Sequence, residues 1–204
     1  MALSDNLLIA LGQELCVVSP CTRKANTMQL VVTEFMTLDG IVEAPDKWSF
    51  EYWNDTTSKF KLEERKASKA LLLGRVTYEN FAASWPDRHD EFADMMNQMP
   101  KYVVTKTLRV ADWQNSNIIG EQVVERIRAL KNQGDGDLLV DGSPTLVRTL
   151  IAEDLVDRYN LLVYPLIYGS GKRLFDAEQR AKLRLTETKD MGAGVVALIY
   201  EPHR

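Results

Sequence analysis

Apolar and polar stretches alternate along the chain in a way that already implies its elements. Gln29 to Thr37 is a nearly continuous run of apolar and β-branched residues, which predicts a strand buried on both faces. The run stops at Leu38-Asp39-Gly40. Asp-Gly between apolar runs predicts either a hairpin turn, since Gly tolerates positive φ and Asp bonds its own backbone, or a polar turn delivered to the sheet end where α/β proteins gather ligands. Asp55 to Ala70 sets Phe60, Leu62, Ala67 and Ala70 at helical spacing among charges, and ends in the burst Ala70-Leu71-Leu72-Leu73-Gly74, a central strand. Arg75 to Ser84 is a predicted helix, stopped by Trp85-Pro86 because proline disfavours helix in the residue before it. Lys101 to Thr105 is a third strand, and Glu121 to Asn132 a helix closed by Gly134. Leu138-Leu139-Val140 is a fourth strand. After it, Asp141-Gly142-Ser143-Pro144 opens a helix to about Ala152, with Ser143 as N-cap and Pro144 at the first helical position. Val156 to Val163, Leu183 to Lys189 and Val195 to Glu201 are strands with no helix between them. The order predicts an α/β fold: a mostly parallel sheet, helices on both faces, and an antiparallel hairpin at one edge.

Composition narrows the function classes. At 204 residues and 45% hydrophobic, the chain suits one core, and is read as one domain, 28–204, preceded by an N-terminal extension, 1–27. That extension is either an addition outside the fold or an amphipathic arm docked on it. Its apolar stretch Leu7 to Leu11 is too short to cross a bilayer and follows no basic residue, as a signal peptide would require. A net charge of -4 offers no nucleic-acid footprint and no polybasic membrane anchor, so the expected partner is a small-molecule substrate. Both cysteines, Cys16 and Cys21, lie in the extension, which fits a cytoplasmic protein better than a disulfide-stapled one. With two histidines and no cysteine in the core, no transition-metal site is expected. The C-terminal strands at a sheet edge would be covered by a second copy, so a homodimer is expected.

Three turns follow predicted parallel strands: Gly74-Arg75-Val76-Thr77, Thr105-Lys106-Thr107 and Asp141-Gly142-Ser143-Pro144-Thr145. In two of them a glycine lets the backbone approach a ligand, and the following helix offers free N–H groups and a positive dipole end to phosphate. Two such turns side by side suit a pyrophosphate. Arg75 adds a guanidinium able to grip a terminal phosphate, which favours NADPH over NADH. Each motif taken singly is as readily a plain turn or cap. Gly169-Ser170-Gly171 follows a strand but lacks the third glycine and the helix of a dinucleotide fingerprint, so it is read as a plain loop or as a loop bordering the substrate. Trp48, Phe50, Tyr52 and Trp53 form an aromatic cluster that is either a lid for a flat ring or part of the core.

The ordered set Thr-Leu-Asp-Gly (37–40), Leu-Gly-Arg-x-Thr-Tyr-Glu (73–79), Val-Thr-Lys-Thr (104–107), Asp-Gly-Ser-x-Thr-Leu (141–146) and Pro-x-x-x-Gly-x-Gly-x-x-Leu-Phe (165–175) resembles the dihydrofolate reductase-like superfamily. Within it, the chain is most similar to the C-terminal reductase domain of the bifunctional riboflavin-biosynthesis deaminase/reductase, over about Met28 to Glu201. The resemblance implies a three-layer α/β/α fold and an NADPH-dependent reductase of a pteridine- or aminopyrimidine-like heterocycle. It implies that Gly74, Arg75, Thr77, Thr105, Lys106, Gly142, Ser143 and Thr145 meet the cofactor. It also puts Thr37, Asp39, Trp48, Gly169 and Gly171 near the substrate, with Asp39 the residue expected to act in catalysis. Glu43, Asp46 and Asp55 are further candidate acids. Dihydrofolate reductases carry paired glycines where this chain has Asp141-Gly142, and a Trp-x-x-Pro-x-Asp pattern that it lacks, so dihydrofolate is not the expected substrate. No Cys-x-x-Cys of a zinc deaminase occurs, and only the reductase-like portion of the bifunctional enzyme is expected here. The alternatives are a non-catalytic nucleotide-binding protein on the same fold and a reductase of unrelated carbonyl or nitro compounds.

Overall fold

A computed structural model describes residues 27–175 and 180–203. The reading of residues 1–27 as an extension therefore falls, apart from Thr27, outside the described residues. The elements run β1 (Gln29–Thr37), α1 (Asp55–Ala67), β2 (Ser68–Gly74), α2 (Arg75–Ala82), α3 (Glu91–Gln98), β3 (Lys101–Val104), β4 (Ser116–Ile119), α4 (Val123–Lys131), β5 (Asp137–Asp141), α5 (Pro144–Ala152), β6 (Arg158–Tyr164), β7 (Leu183–Asp190) and β8 (Val196–Pro202). Two short 3₁₀ turns, Pro45–Lys47 and Phe50–Tyr52, shape the loop after β1.

One eight-stranded sheet has the order β4-β3-β2-β5-β1-β6-β8-β7. The first six are parallel to one another, and β8 and β7 close the sheet antiparallel. β1 is central, as its apolar run predicts, with β5 on one side and β6 on the other. The hairpin reading of Asp39-Gly40 is thereby excluded, because both neighbours of β1 are parallel and arrive by long crossovers.

Side chains alternate across the sheet. Leu30 and Val32 join Leu146, Val147 and Leu150 of α5 and Ile127 of α4 on one face, while Val31, Leu71 and Leu73 join Tyr78, Met96 and Trp113 on the other. Each fully buried aliphatic side chain in these layers contributes about 1.5–3 kcal/mol.

Two elements escaped the pattern. The helix α3 is a short amphipathic piece started by Asp90, whose carboxylate accepts from the Ala93 N–H; β4 is a four-residue strand beside β3. Both are too short for periodicity to announce. α1 also departs from expectation, since it ends at Ala67, where the Ser68 hydroxyl donates to the Glu64 carbonyl. Its buried stripe is Thr57, Phe60, Lys61, Glu64 and Arg65 rather than Leu62 and Ala67. The burial of Lys61, Glu64 and Arg65 is compensated by pairing. Lys61 Nζ lies 2.5 Å from Glu64 and donates to Thr33 Oγ1 at 2.8 Å, Asn160 donates to Glu64 at 2.6 Å, and Arg65 pairs with Asp141 at the end of β5. This polar seam fixes α1 against the middle of β1, the end of β5 and the inside of β6.

Candidate functional site

The five sequence turns lie at the carboxyl ends of β1, β2, β3, β5 and β6, which are parallel and therefore share one rim of the sheet. Two of them interlock. The Gly74 N–H donates to Ser143 Oγ at 2.8 Å, and Ser143 Oγ is also 2.8 Å from Thr77 Oγ1. A Cβ on Gly74 would stand 2.8 Å from Ser143 Oγ, and one on Gly142, where φ is +64°, 3.1 Å from Thr77 Oγ1. The glycines are thus required for the two turns to touch.

Ser143 sits at the N-cap position of α5, as expected, but in the left-handed region at φ 69°, and its side chain caps nothing. Its hydroxyl is spent on the neighbouring turn instead. Neither α2 nor α5 has a side-chain cap, whereas α1 and α3 are capped by Asn54 and Asp90. α4 lacks a side-chain cap as well. What distinguishes α2 and α5 is that their uncapped starts adjoin, which leaves backbone N–H groups of both for an anion. Arg75 lies along α2, 2.8 Å from Glu79, with both side chains near half-exposed. Thr145 opens the first turn of α5 beside Pro144.

Gly74 is paired with Val104, so the turn at Thr105 is the next along the rim. Thr105 is buried and its Oγ1 accepts from the N–H groups of Thr107 and Leu108 at 3.1 and 3.0 Å. Lys106 lines a cavity of ≈ 390 Å³ with Arg109, Ile118, Gly120 and Glu121. A larger cavity of ≈ 760 Å³ lies between α2, α3 and residues 108–114, and takes in none of the predicted site residues.

On the other side of β1, the turn at Asp39 is bound to the β6–β7 loop. Asp39 accepts from Thr37 Oγ1 at 2.6 Å and from the N–H groups of Tyr168 and Gly169 at 3.1 and 2.9 Å. The Thr37 hydroxyl and then these two amides hold the carboxyl down at about 2, so it is ionised at neutral pH. Arg173 donates to the Asp39 carbonyl, and Gly171 packs so close to Ile41 that a Cβ would stand 2.8 Å from Ile41 Cγ2. Asp39 is therefore a clasp between two loops, its carboxylate held in the ionised form by the groups it joins. Trp48, expected near the substrate, is buried against Tyr164, with ring centroids 5.2 Å apart, and donates to the Glu43 carbonyl. The exposed rings of that cluster are Phe50 and Trp53.

Sequence reading passed over Glu34. It lies in the middle of β1, only 5% exposed, and its Oε1 has no hydrogen-bond partner among the described residues. The signal was available: a carboxylate inside a run otherwise fit for a doubly buried strand.

The RibD C-terminal domain family model matches residues 28–197. The chain belongs to that family. The family match covers every turn described above. Among curated relatives, the uncharacterized protein YyaP of Bacillus subtilis is 32% identical over 196 residues, which is 88% of this chain and 97% of that protein. Among solved structures, the fold matches the Thermotoga maritima diaminohydroxyphosphoribosylaminopyrimidine deaminase/5-amino-6-(5-phosphoribosylamino)uracil reductase with TM-score 0.64 at 16% identity. That match covers 86% of this chain and 57% of the bifunctional one. It also matches the dihydrofolate reductase of Enterococcus faecalis complexed with NADP(H), with TM-score 0.59 at 15% identity, over 86% of this chain and 97% of that one. The fold is thus the dihydrofolate reductase-like three-layer α/β/α expected. No helix among the described residues is long and apolar enough to cross a membrane.

Proposed function

We propose that this protein is an NADPH-dependent reductase of a small aminopyrimidine- or pteridine-like heterocycle, acting in the cytoplasm. The observation that carries the reading is the clasp of the β2–α2 and β5–α5 turns through Ser143, which sets two uncapped helix starts side by side. Adjacent dipole ends with free N–H groups suit the two phosphates of a dinucleotide better than a single anion. Gly74, Thr77, Gly142, Ser143 and Thr145 would hold the pyrophosphate. Thr105 and Lys106, beside the cavity at the end of β3, would border the adenosine. Arg75 would take the 2′-phosphate, since its exposed pair with Glu79 costs little to exchange. Bound there, the cofactor supplies hydride. The loop carrying Gly169 and Gly171, clasped by Asp39, would border the substrate together with Thr37.

The T. maritima enzyme is named for reduction of a ribosylaminopyrimidine, and the E. faecalis structure was obtained with NADP(H); both support the reading by likeness of fold.

Calorimetry with NADPH and NADH on the wild-type protein and on Arg75→Ala tests the cofactor assignment. Wild type is expected to prefer NADPH, and Arg75→Ala to weaken NADPH about 10- to 100-fold, the loss of one charge-assisted contact, while NADH changes little. Equal weakening of both would remove the 2′-phosphate role, and no uptake of either would remove the reading itself.

A further inference from the structure

β1 outruns β5. Their last pair is Thr33 with Asp141, after which the chain leaves β5 for Gly142 and Ser143. Glu34 is the next residue of β1, paired only on its other side, with Leu161 of β6. It is therefore the first β1 position to face the gap that opens where β5 stops. By the alternation of the strand its side chain lies on the face of Leu30 and Val32, the α5 face. That face is the one α5 covers, and α5, the helix that the proposed function gives to the pyrophosphate, begins just past the end of β5. A buried carboxyl oxygen without a partner costs on the order of 1–3 kcal/mol, so the fold retains Glu34 against a stability cost.

Its surroundings favour the protonated form. Burial is the largest cause, the negative charge of Asp141 on β5 adds to it, and Lys61 of α1 opposes both, so the carboxyl is raised well above its ordinary range. Its β6 neighbours Asn160 and Leu161 carry no charge. Asp141 itself stays ionised, because Arg65 and Lys61 outweigh the effect of its burial. One carboxylate committed to an ion pair on the α1 face of the sheet, and a second pushed towards its neutral form on the α5 face, is the arrangement expected of a site with a single proton to give.

We propose that Glu34 is the acid of this site: its carboxyl O–H bonds the heteroatom of the substrate's C=N or C=O group and passes it the proton as the adjacent carbon takes up hydride. This rests on the reductase reading above. In the step, the Glu34 O–H bond breaks and an N–H or O–H bond forms on the substrate. The new C–H bond takes its electron pair from the reduced nicotinamide, which leaves oxidised, and solvent reprotonates the carboxylate.

The test uses the full chain, NADPH, and 6-aminouracil derivatives carrying a reducible glycosylamino group. Glu34→Gln keeps size and shape, and is expected to lower kcat about a hundredfold or more with NADPH affinity unchanged. Wild-type kcat should fall as pH rises through the raised pKa, because the acid form is the active one, and Glu34→Gln should lack that limb. A kcat within about threefold of wild type, or the same alkaline limb in the variant, overturns the proposal. A second readout is independent of turnover and of the variant's folding: the infrared C=O stretch of a protonated carboxyl in wild type at neutral pH. The band should be present and should shift when NADPH and then plain 6-aminouracil are added; a band that is absent or unmoved overturns the proposal. If wild type binds NADPH but reduces nothing, the reductase reading fails and the band alone decides whether Glu34 meets the ring. If NADPH does not bind, both fall.

Discussion

Asp39 and Glu34 are five residues apart on one strand and its turn, and their surroundings push their carboxyls in opposite directions. Asp39 accepts a hydroxyl and two backbone amides and is ionised down to about 2; the Glu34 carboxyl is pushed well above its ordinary range, first by burial and then by the charge of Asp141. For Asp39 the folded pKa lies below the ordinary 3.8, so its stabilising contribution is complete above that value and is lost as pH falls towards about 2. Asp39→Asn should therefore melt below wild type at neutral pH, and the gap should close as the pH is lowered through that window. Thermal unfolding followed from pH 7 to about 2 checks it; a gap independent of pH would mean that the carboxylate does not clasp the loop. At this scale the sequence was partly legible. Asp-Gly announces a turn whatever surrounds it, but whether the aspartate serves its own backbone or a loop 129 residues away is decided only when β6 is laid beside β1.

At the scale of elements, the candidate cofactor site is a property of two helix starts. Gly142 sits at φ +64° against Thr77, and Gly169 at φ +83° with nothing near its missing Cβ. Gly142→Ala and Gly169→Ala should each lose about 1–2 kcal/mol of stability from strain in the left-handed region. Only Gly142→Ala should also weaken NADPH, because only there does the methyl press on the clasp. Denaturant unfolding and calorimetry on the pair separate strain from cradle, and equal losses of NADPH affinity would remove the pyrophosphate role of the β5–α5 turn. The Gly-Arg and Gly-Ser-Pro turns were visible because glycine and proline act locally on φ. The use of Ser143 was not visible. A serine before a helix predicts a cap, and only the neighbouring turn turns it into a bridge.

At the scale of the whole molecule, β7 ends the sheet with β8 as its one neighbour among the described residues, and Leu185 and Val196 on this hairpin are 48% and 39% exposed. We expect a second copy to cover this edge, since an open strand edge beside apolar surface favours pairing. Sedimentation at micromolar concentration should give a homodimer that Leu185→Lys weakens; a monomeric wild type would refute it.

By itself the sequence determined the alternation of strands and helices, the antiparallel close and the positions of the five turns. Hydrophobic period and the backbone preferences of glycine, proline and aspartate are read within a few residues. The order β2-β5-β1-β6, the polar inner face of α1, the bond between Gly74 and Ser143, and the isolation of Glu34 past the end of β5 came only with the tertiary structure. Each depends on which strand lies beside which, and pairing between segments far apart in the chain leaves no local mark on it.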